Sequence, residues 1–307
     1  MIVSVIILAY KRRSSLEVVL GRLTELPVHE VLVVDNGGEL EGLTRAGVRV
    51  ITPEKNIGIA GRNRAAENAN GDLLLMLDDD SYPLPGAVEA LSEAFESQPR
   101  LGVAGGLVRD VDEAGRVLRH DELGTFDWFF RGGRKGLAPS GGWPTFFFPE
   151  GASMIRRAAF LQVGGFFEPF FFQSTEVELS TRLLAHGWDV RYLPAARFDH
   201  MKEEGSRISK AGLELRVRNQ LWYFWMHFPT LLASRRTIFY LAFDFIECTY
   251  RGAVGAWTRG VRDAWRGQKL VRQHRQPLPR SVIRRAELNR GRLHILLLLG
   301  QLQRKAL

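Results

Sequence analysis

Apolar residues gather early in the chain into short runs, over residues 3–9, 30–34, 48–52, 73–77 and 101–108, each closing at a polar or glycine-bearing turn. Runs of that length, rich in Val, Ile and Leu, read as strands buried on both faces. Between them the spacing changes. Leu16, Val19, Leu20 and Leu23 recur at helical intervals and predict a helix over 14–26. Further helices are predicted over 56–70, introduced by Gly58 and Gly61, and over 85–97. Strands and helices alternating at this short period predict an α/β fold with a doubly wound, mainly parallel sheet. Such sheets bind ligands beyond the carboxyl ends of their strands.

The regular alternation stops at residue 109. Glycines, prolines and aromatics fill 109–149, including Trp128, Phe129, Phe130, Trp143, Phe146, Phe147 and Phe148. These aromatics read equally as pocket walls or as the core of a small antiparallel insert. Residues 151–157 lead into a helix over 158–163, a second helix covers 176–186, and a strand over 188–193 closes at Pro194. Beyond 209 the pattern is helical, with no strand signal. Two domains are therefore expected, 1–208 and 209–307.

Charge sharpens that division. Of 42 Lys+Arg and 34 Asp+Glu, residues 201–307 hold 21 and 7, leaving a net −6 on residues 1–200. An acidic body with a basic, tryptophan-bearing helical tail fits a tail that meets an anionic membrane surface, or that packs on the body or on a second copy of the chain. Cys248 is the only cysteine, which rules out an intrachain disulfide and suits a cytoplasmic protein. Apolar residues precede Lys11-Arg12-Arg13, the reverse of a signal peptide's order, and no run of about 20 apolar residues spans a bilayer.

The chemistry concentrates where five apolar residues, Leu73 to Leu77, deliver Asp78-Asp79-Asp80 at a strand's carboxyl end. Three adjacent like charges call for a cation, and carboxylate oxygens suit Mg²⁺ or Mn²⁺ bridging to substrate phosphates. Alternate residues of an extended chain point the same way, so Asp78 and Asp80 can face one site. A solvated turn capping the next helix is the bland alternative.

Further segments complete a pattern. In order they are Val5-Ile6-Ile7-Leu8-Ala9-Tyr10-Lys11-Arg12, Val33-Val34-Asp35-Asn36-Gly37, Asn56-Ile57-Gly58-Ile59-Ala60-Gly61-Arg62-Asn63, and Leu77-Asp78-Asp79-Asp80. Then come Met154-Ile155-Arg156-Arg157, Val163-Gly164-Gly165-Phe166, Thr175-Glu176-Val177-Glu178-Leu179, Arg182-Leu183, Gly187-Trp188 and His200. Their order and spacing resemble an inverting family 2 glycosyltransferase of the GT-A fold, over residues 2 to about 219.

That resemblance implies a nucleotide-sugar donor (UDP-, GDP- or dTDP-linked) and a glycan or lipid-linked acceptor, as in cell-envelope synthesis. It assigns Ala9, Tyr10, Arg12, Asp35, Asn36, Asn56, Gly58, Arg62, Asp78 and Asp79 to the nucleotide and donor. Asp78, Asp80 and His200 would hold Mg²⁺ or Mn²⁺. Trp143, Gly151, Arg156 and Glu178 fall to the acceptor. The family usually reads Glu-Asp before a residue and a further acid, whereas Thr175-Glu176 stands here. Glu176 is therefore the expected base, with Glu150 and Asp199 as fallbacks. Read without the resemblance, Asp35-Asn36-Gly37 is equally an ordinary turn, Arg62 a solvated charge, and Glu176 a first-turn acid that favours the helix dipole.

Two other classes are weaker. A sugar-phosphate nucleotidyltransferase usually carries a glycine-rich loop after its first strand, and Leu8-Ala9-Tyr10-Lys11-Arg12 has no glycine. A nucleic-acid binder would use the basic tail, but the acidic body and aspartate triplet suit it poorly.

Overall fold

The computed structural model describes residues 1–112, 115–118, 137–139, 141–202 and 209–287. Trp128, Phe129, Phe130 and the apolar stretch at 294–302 lie outside them. Two compact units emerge, Met1–Glu168 with Leu179–Ser206, and Pro169–Glu178 with Arg207–Leu307. The segment Pro169–Glu178 groups with the tail.

The first unit holds every described strand: β1 (Val3–Ala9), β2 (Glu30–Asp35), β3 (Val48–Ile51), β4 (Leu73–Asp78), β5 (Ser81–Pro83), β6 (Leu101–Val111), β7 (Trp143–Pro144), β8 (Ala152–Arg156) and β9 (Asp189–Met201). They form one sheet in the order β3-β2-β1-β4-β8-β6-β9-β5, with β7 paired to β9. Parallel pairing joins β3, β2, β1 and β4, and separately β6 and β9. The sheet becomes mixed because β8 runs antiparallel between β4 and β6. Residues 151–157, expected to lead into a helix, supply that strand, and the helix α4 (Arg157–Gln162) starts only after it. Pro194 does not end β9, because it coincides with the register irregularity after Gly106 where the β6–β9 ladder resumes at Arg197.

Helices α1 (Arg13–Leu23), α2 (Ala60–Asn68) and α3 (Ala87–Ser97) fall where the periodicity places them. Leu16, Val19, Leu20 and Leu23 of α1 join Val5, Ile7, Leu75 and Leu77 in one core. Each such side chain, removed from water, contributes roughly 1.5–3 kcal/mol. The central strands are buried on both faces: Val5, Ile6, Ile7 and Leu73 to Leu77 have no exposure. This burial fixes register, and register fixes the site. Leu8 pairs with Asp78 and Ala9 with Asp35, so three strand ends stand level.

A helix α5 (Thr175–Ala185) carries the chain across the unit boundary. The second unit is built from α6 (Lys210–His227), α7 (Thr230–Tyr250), α8 (Val254–Arg266), α9 (Gln268–Gln273) and α10 (Arg280–Glu287). Ser209 caps α6, its Oγ accepting from Gly212 N at 3.0 Å. Tyr223, Phe224, Phe228 and Tyr240 pack ring against ring at 5.1–5.5 Å between centroids. Among the described residues no helix is long and apolar enough to cross a membrane.

Candidate active site

The level strand ends are sewn together by backbone. Asn36 N donates to Ala9 O at 2.9 Å, and Tyr10 N donates to Asp79 Oδ2 at 2.8 Å. A Cβ at Gly37 would lie 2.8 Å from Lys11 N, so only glycine lets the turns after β1 and β2 approach this closely. The Asn36 side chain reaches the next turn, accepting from Ile57 N at 3.3 Å and donating to Gly58 O at 3.0 Å. Asn56 Oδ1 in turn accepts from Gly58 N at 2.8 Å. Ala9, Tyr10, Asp35, Asn36, Asn56 and Gly58 therefore share one rim. Asp35 itself is largely spent on its own turn: Oδ1 accepts from the amides of Gly37, Gly38 and Glu39, and Oδ2 from Leu40.

The three aspartates meet three different surroundings. Asp78 Oδ1 accepts from Arg62 Nη2 at 2.6 Å, while Arg62 Nε donates to Glu150 Oε1 at 3.1 Å. Arg62 was expected to offer charge to a phosphate at the start of α2. Instead it is wholly buried as the shared counter-ion of two carboxylates. Asp79 is buried beside two further acids, and its carboxyl is pushed up to about 7, chiefly by burial and against the pull of the Tyr10 amide. Asp80 pairs with Arg12, whose guanidinium also lies 3.6 Å from Asp79. Across the β5–β9 ladder, His200 Nε2 stands 3.5 Å from Asp80 Oδ1, and its Nδ1 is 2.8 Å from Asp110 Oδ1. Burial works against the imidazolium, but the hydrogen bonds to Asp110 and Asp80 outweigh it and raise the group to about 10. Asp110 is held well below the usual carboxylate range because His200 and Lys202 outweigh its own burial.

Two carboxylates and an imidazole make a donor set suited to Mg²⁺ or Mn²⁺. Asp80 and His200 fit, since they face each other. Asp78 Oδ2 is given its place by Gly151, where an added Cβ would sit 2.2 Å from it. Ser81 Oγ clamps this corner, accepting from Asp78 N at 2.9 Å and donating to Gly151 O at 2.5 Å. Yet the described residues gather no three His, Cys, Asp or Glu into a ready cage. Arg12 holds Asp80 and Arg62 holds Asp78; Arg12 is more than half exposed and movable, Arg62 is not.

Two residues expected at the acceptor stand apart from the aspartates along the sheet. Arg156 pairs with Leu73 at the opposite end of β4, about 17 Å of strand from Asp78. There its guanidinium donates to the carbonyls of Leu101, Phe95 and Gln98 and lies over the Phe95 ring. It staples α3 to the sheet. Trp143 is on a sheet rung running Met76–Ser153–Gly105–Tyr192–Trp143, four strands and about 19 Å from β4.

In the second unit, Thr175 Oγ1 donates to the half-exposed Glu176 at 3.1 Å. Glu178, expected at the acceptor, is instead buried against His227 Nε2 at 2.9 Å. The loop ahead of α5 holds Phe171, Gln173 and Ser174 at φ of 62°, 69° and 61°. Asn219 Nδ2 donates to the carbonyls of Phe170, Phe172 and Gln173, and Arg218 Nη2 to those of Pro169 and Phe170.

The glycosyl transferase family 2 model matches residues 4–164, which takes in β1 through α4 and every aspartate of the cluster. The chain belongs to glycosyl transferase family 2. As a family 2 glycosyltransferase it is 28% identical, over 95% of its length and 99% of the relative's, to N-acetylglucosaminyl-diphospho-decaprenol L-rhamnosyltransferase of Mycobacterium tuberculosis. Its fold is similar to that of S. aureus TarS 1-349 in complex with UDP-GlcNAc (TM-score 0.56, 15% identity, 96% of this chain and 88% of that one). It is also similar to GalNAc-T7 with UDP, GalNAc and Mn²⁺ (TM-score 0.59, 16% identity, 75% of this chain), of which it spans about half the length. Membership of this transferase family sets aside the nucleotidyltransferase reading. Asp110, which meets His200 in the first unit, and Arg218, Asn219 and His227, which meet the 169–178 segment in the second, are side chains that the sequence pattern does not single out. Only the pairing of β6 with β9 and the packing of α6 bring them into play.

Proposed function

We propose that the protein transfers a sugar from a nucleotide diphosphate donor to a hydroxyl of a lipid-linked glycan, with inversion at the anomeric carbon. The observation that carries this reading is the rim joining Ala9, Tyr10, Asn36 and Gly58 to the Asp78–Asp80 cluster at the carboxyl ends of β1, β2 and β4. The base and ribose lie along the Tyr10 and Asn36 turns, and the diphosphate lies toward Asp80, Arg12 and His200. A divalent cation on Asp80 and His200, joined by Asp78, would supply Lewis-acid neutralisation of the departing diphosphate. Glu176, assigned from its motif position, takes the acceptor hydroxyl's proton as the new C–O bond forms and the C–O bond to phosphate breaks. The acceptor class rests on the mycobacterial relative, whose name specifies a sugar carried on decaprenyl diphosphate.

A thermal-shift screen of UDP-, GDP- and dTDP-sugars with and without Mn²⁺ tests the donor site. Metal-dependent stabilisation that disappears in Asp80→Asn, with nucleoside diphosphate released only when an acceptor is present, is the expected result. No stabilisation by any nucleotide sugar would overturn it.

A further inference from the structure

Among the described residues, helix α7 presents an outward face that the rest of its unit leaves open. Its exposed positions are Leu231, Ser234, Arg235, Ile238, Phe239, Ala242, Phe245, Ile246 and Thr249, a 3–4 spacing that marks one side of a helix. Leu231, Ile238 and Ile246 are more than half exposed, and Phe239 and Phe245 are nearly so. From Leu231 to Ile246 this stripe runs about 22 Å, longer than scattered surface apolar residues account for. Its opposite side is buried, with Ala233, Tyr240, Phe243 and Cys248 packed beside Asp244 and Glu247, which Arg216 holds.

Charge decides what covers the stripe. No exposed position on it is acidic. Helices α6 to α9 carry ten Lys and Arg against four acids. Each of those acids is already held: Glu214 by Arg259, Asp244 and Glu247 by Arg216, and Asp263 by Arg262. Basic side chains border the stripe directly. Arg235 and Arg236 line a depression with Phe239, and Arg275 lines another with Ile238 and the exposed Trp265. A second copy docked face to face would set Arg235 and its neighbours against themselves. Residues 288–307 have four basic and no acidic residues, so the chain's own end offers no complementary charge either. An anionic bilayer does, and tryptophan and arginine at the edge of an apolar helix face are the side chains that such an interface favours.

We infer that α7 lies in the headgroup plane of an anionic membrane, apolar stripe inward, with the exposed Arg235 at the lipid phosphates. This goes beyond the transferase reading, and explains how a protein without a described spanning helix meets a lipid-linked acceptor.

Flotation of the full chain with phosphatidylcholine vesicles, with and without phosphatidylglycerol, tests it. Expected is recovery with the anionic vesicles only, weakened by high salt. Ile238→Glu/Ile246→Glu should lower that partitioning at least about tenfold while keeping the wild-type circular dichroism and nucleotide-sugar thermal shift. Undiminished flotation of the variant would overturn the proposal. So would a wild-type dimer that the variant converts to monomer, or vesicle binding that appears only after deletion of 288–307. Because the nucleotide shift is read separately, loss of vesicle binding with an intact shift falls on this face alone, and the converse falls on the donor site.

Discussion

Arg62 donates to Asp78 at 2.6 Å from a position with no solvent exposure, and the same guanidinium holds Glu150 at 3.1 Å. A buried cation between two acids is hard to replace, because removing it leaves both carboxylates facing one another without compensation. Arg62→Ala should therefore cost about 3 kcal/mol of unfolding free energy, measured by urea denaturation. Arg62→Lys should recover only part of it, since an ammonium lacks the fork that reaches both partners. An Arg62→Ala protein as stable as wild type would show that the bridge is dispensable.

At the proposed donor site, Arg12 and a divalent cation would compete for the same oxygens. The Arg12 guanidinium engages Asp80 and approaches Asp79, and it is more than half exposed, so it can leave. Arg12→Gln should bind Mn²⁺ more tightly in the absence of nucleotide, by about tenfold, as read by the loss of the free-ion electron paramagnetic resonance signal. In the same variant the nucleotide-sugar affinity should fall if the displaced guanidinium turns to the diphosphate. Unchanged Mn²⁺ affinity would mean that Arg12 does not guard the site.

His200 sets a pH dependence whose sign follows from its raised value. The imidazole moves from an ordinary 6.5 to about 10 in the fold, so its stabilisation is fully present below 6.5 and is lost as pH rises through 10. Without added metal, the His200 ring resonances should show a protonated imidazole at pH 8. Asp110→Asn should return the midpoint toward 6.5 and remove the stability loss between pH 7 and pH 10. A wild-type midpoint already near 6.5 would contradict the arrangement.

The sequence and structure agree where one physical rule acts alone. Unbroken apolar runs gave β1, β2, β4 and β6 because burial on both faces leaves no other reading. The turns that form the rim were legible from Asp35-Asn36-Gly37 and Gly58, since tight turns at strand ends demand those residue types. Residues 152–156 defeated the same logic: Ala-Ser-Met-Ile-Arg before a helix is too short and mixed to distinguish strand from helix start, and only antiparallel partners on both sides decide it. Arg62 and Arg156 were misplaced for a different reason. An arginine's hydrogen-bond partners are set by tertiary packing, so a charged residue inside a motif cannot be told from a structural staple by spacing.

Asn219 illustrates the part that spacing cannot supply, and it leads to the last prediction. Its single side-chain amide donates to Phe170 O at 3.0 Å, Phe172 O at 2.7 Å and Gln173 O at 2.8 Å. The loop so held contains three non-glycine residues in the left-handed region, each costing about 1–2 kcal/mol. Such a conformation persists only if something over-determines it, and the loop ends at Thr175, one residue before the proposed base. Asn219→Ala removes the two donor hydrogens and should let the loop relax. Amide exchange over residues 170–176 should quicken, and kcat should fall by about tenfold or more, since small misplacements of a catalytic group are costly. Nucleotide-sugar affinity, which the proposal places on the other unit, should stay the same. Faster exchange with kcat unchanged would show that the strained loop does not position Glu176 for transfer.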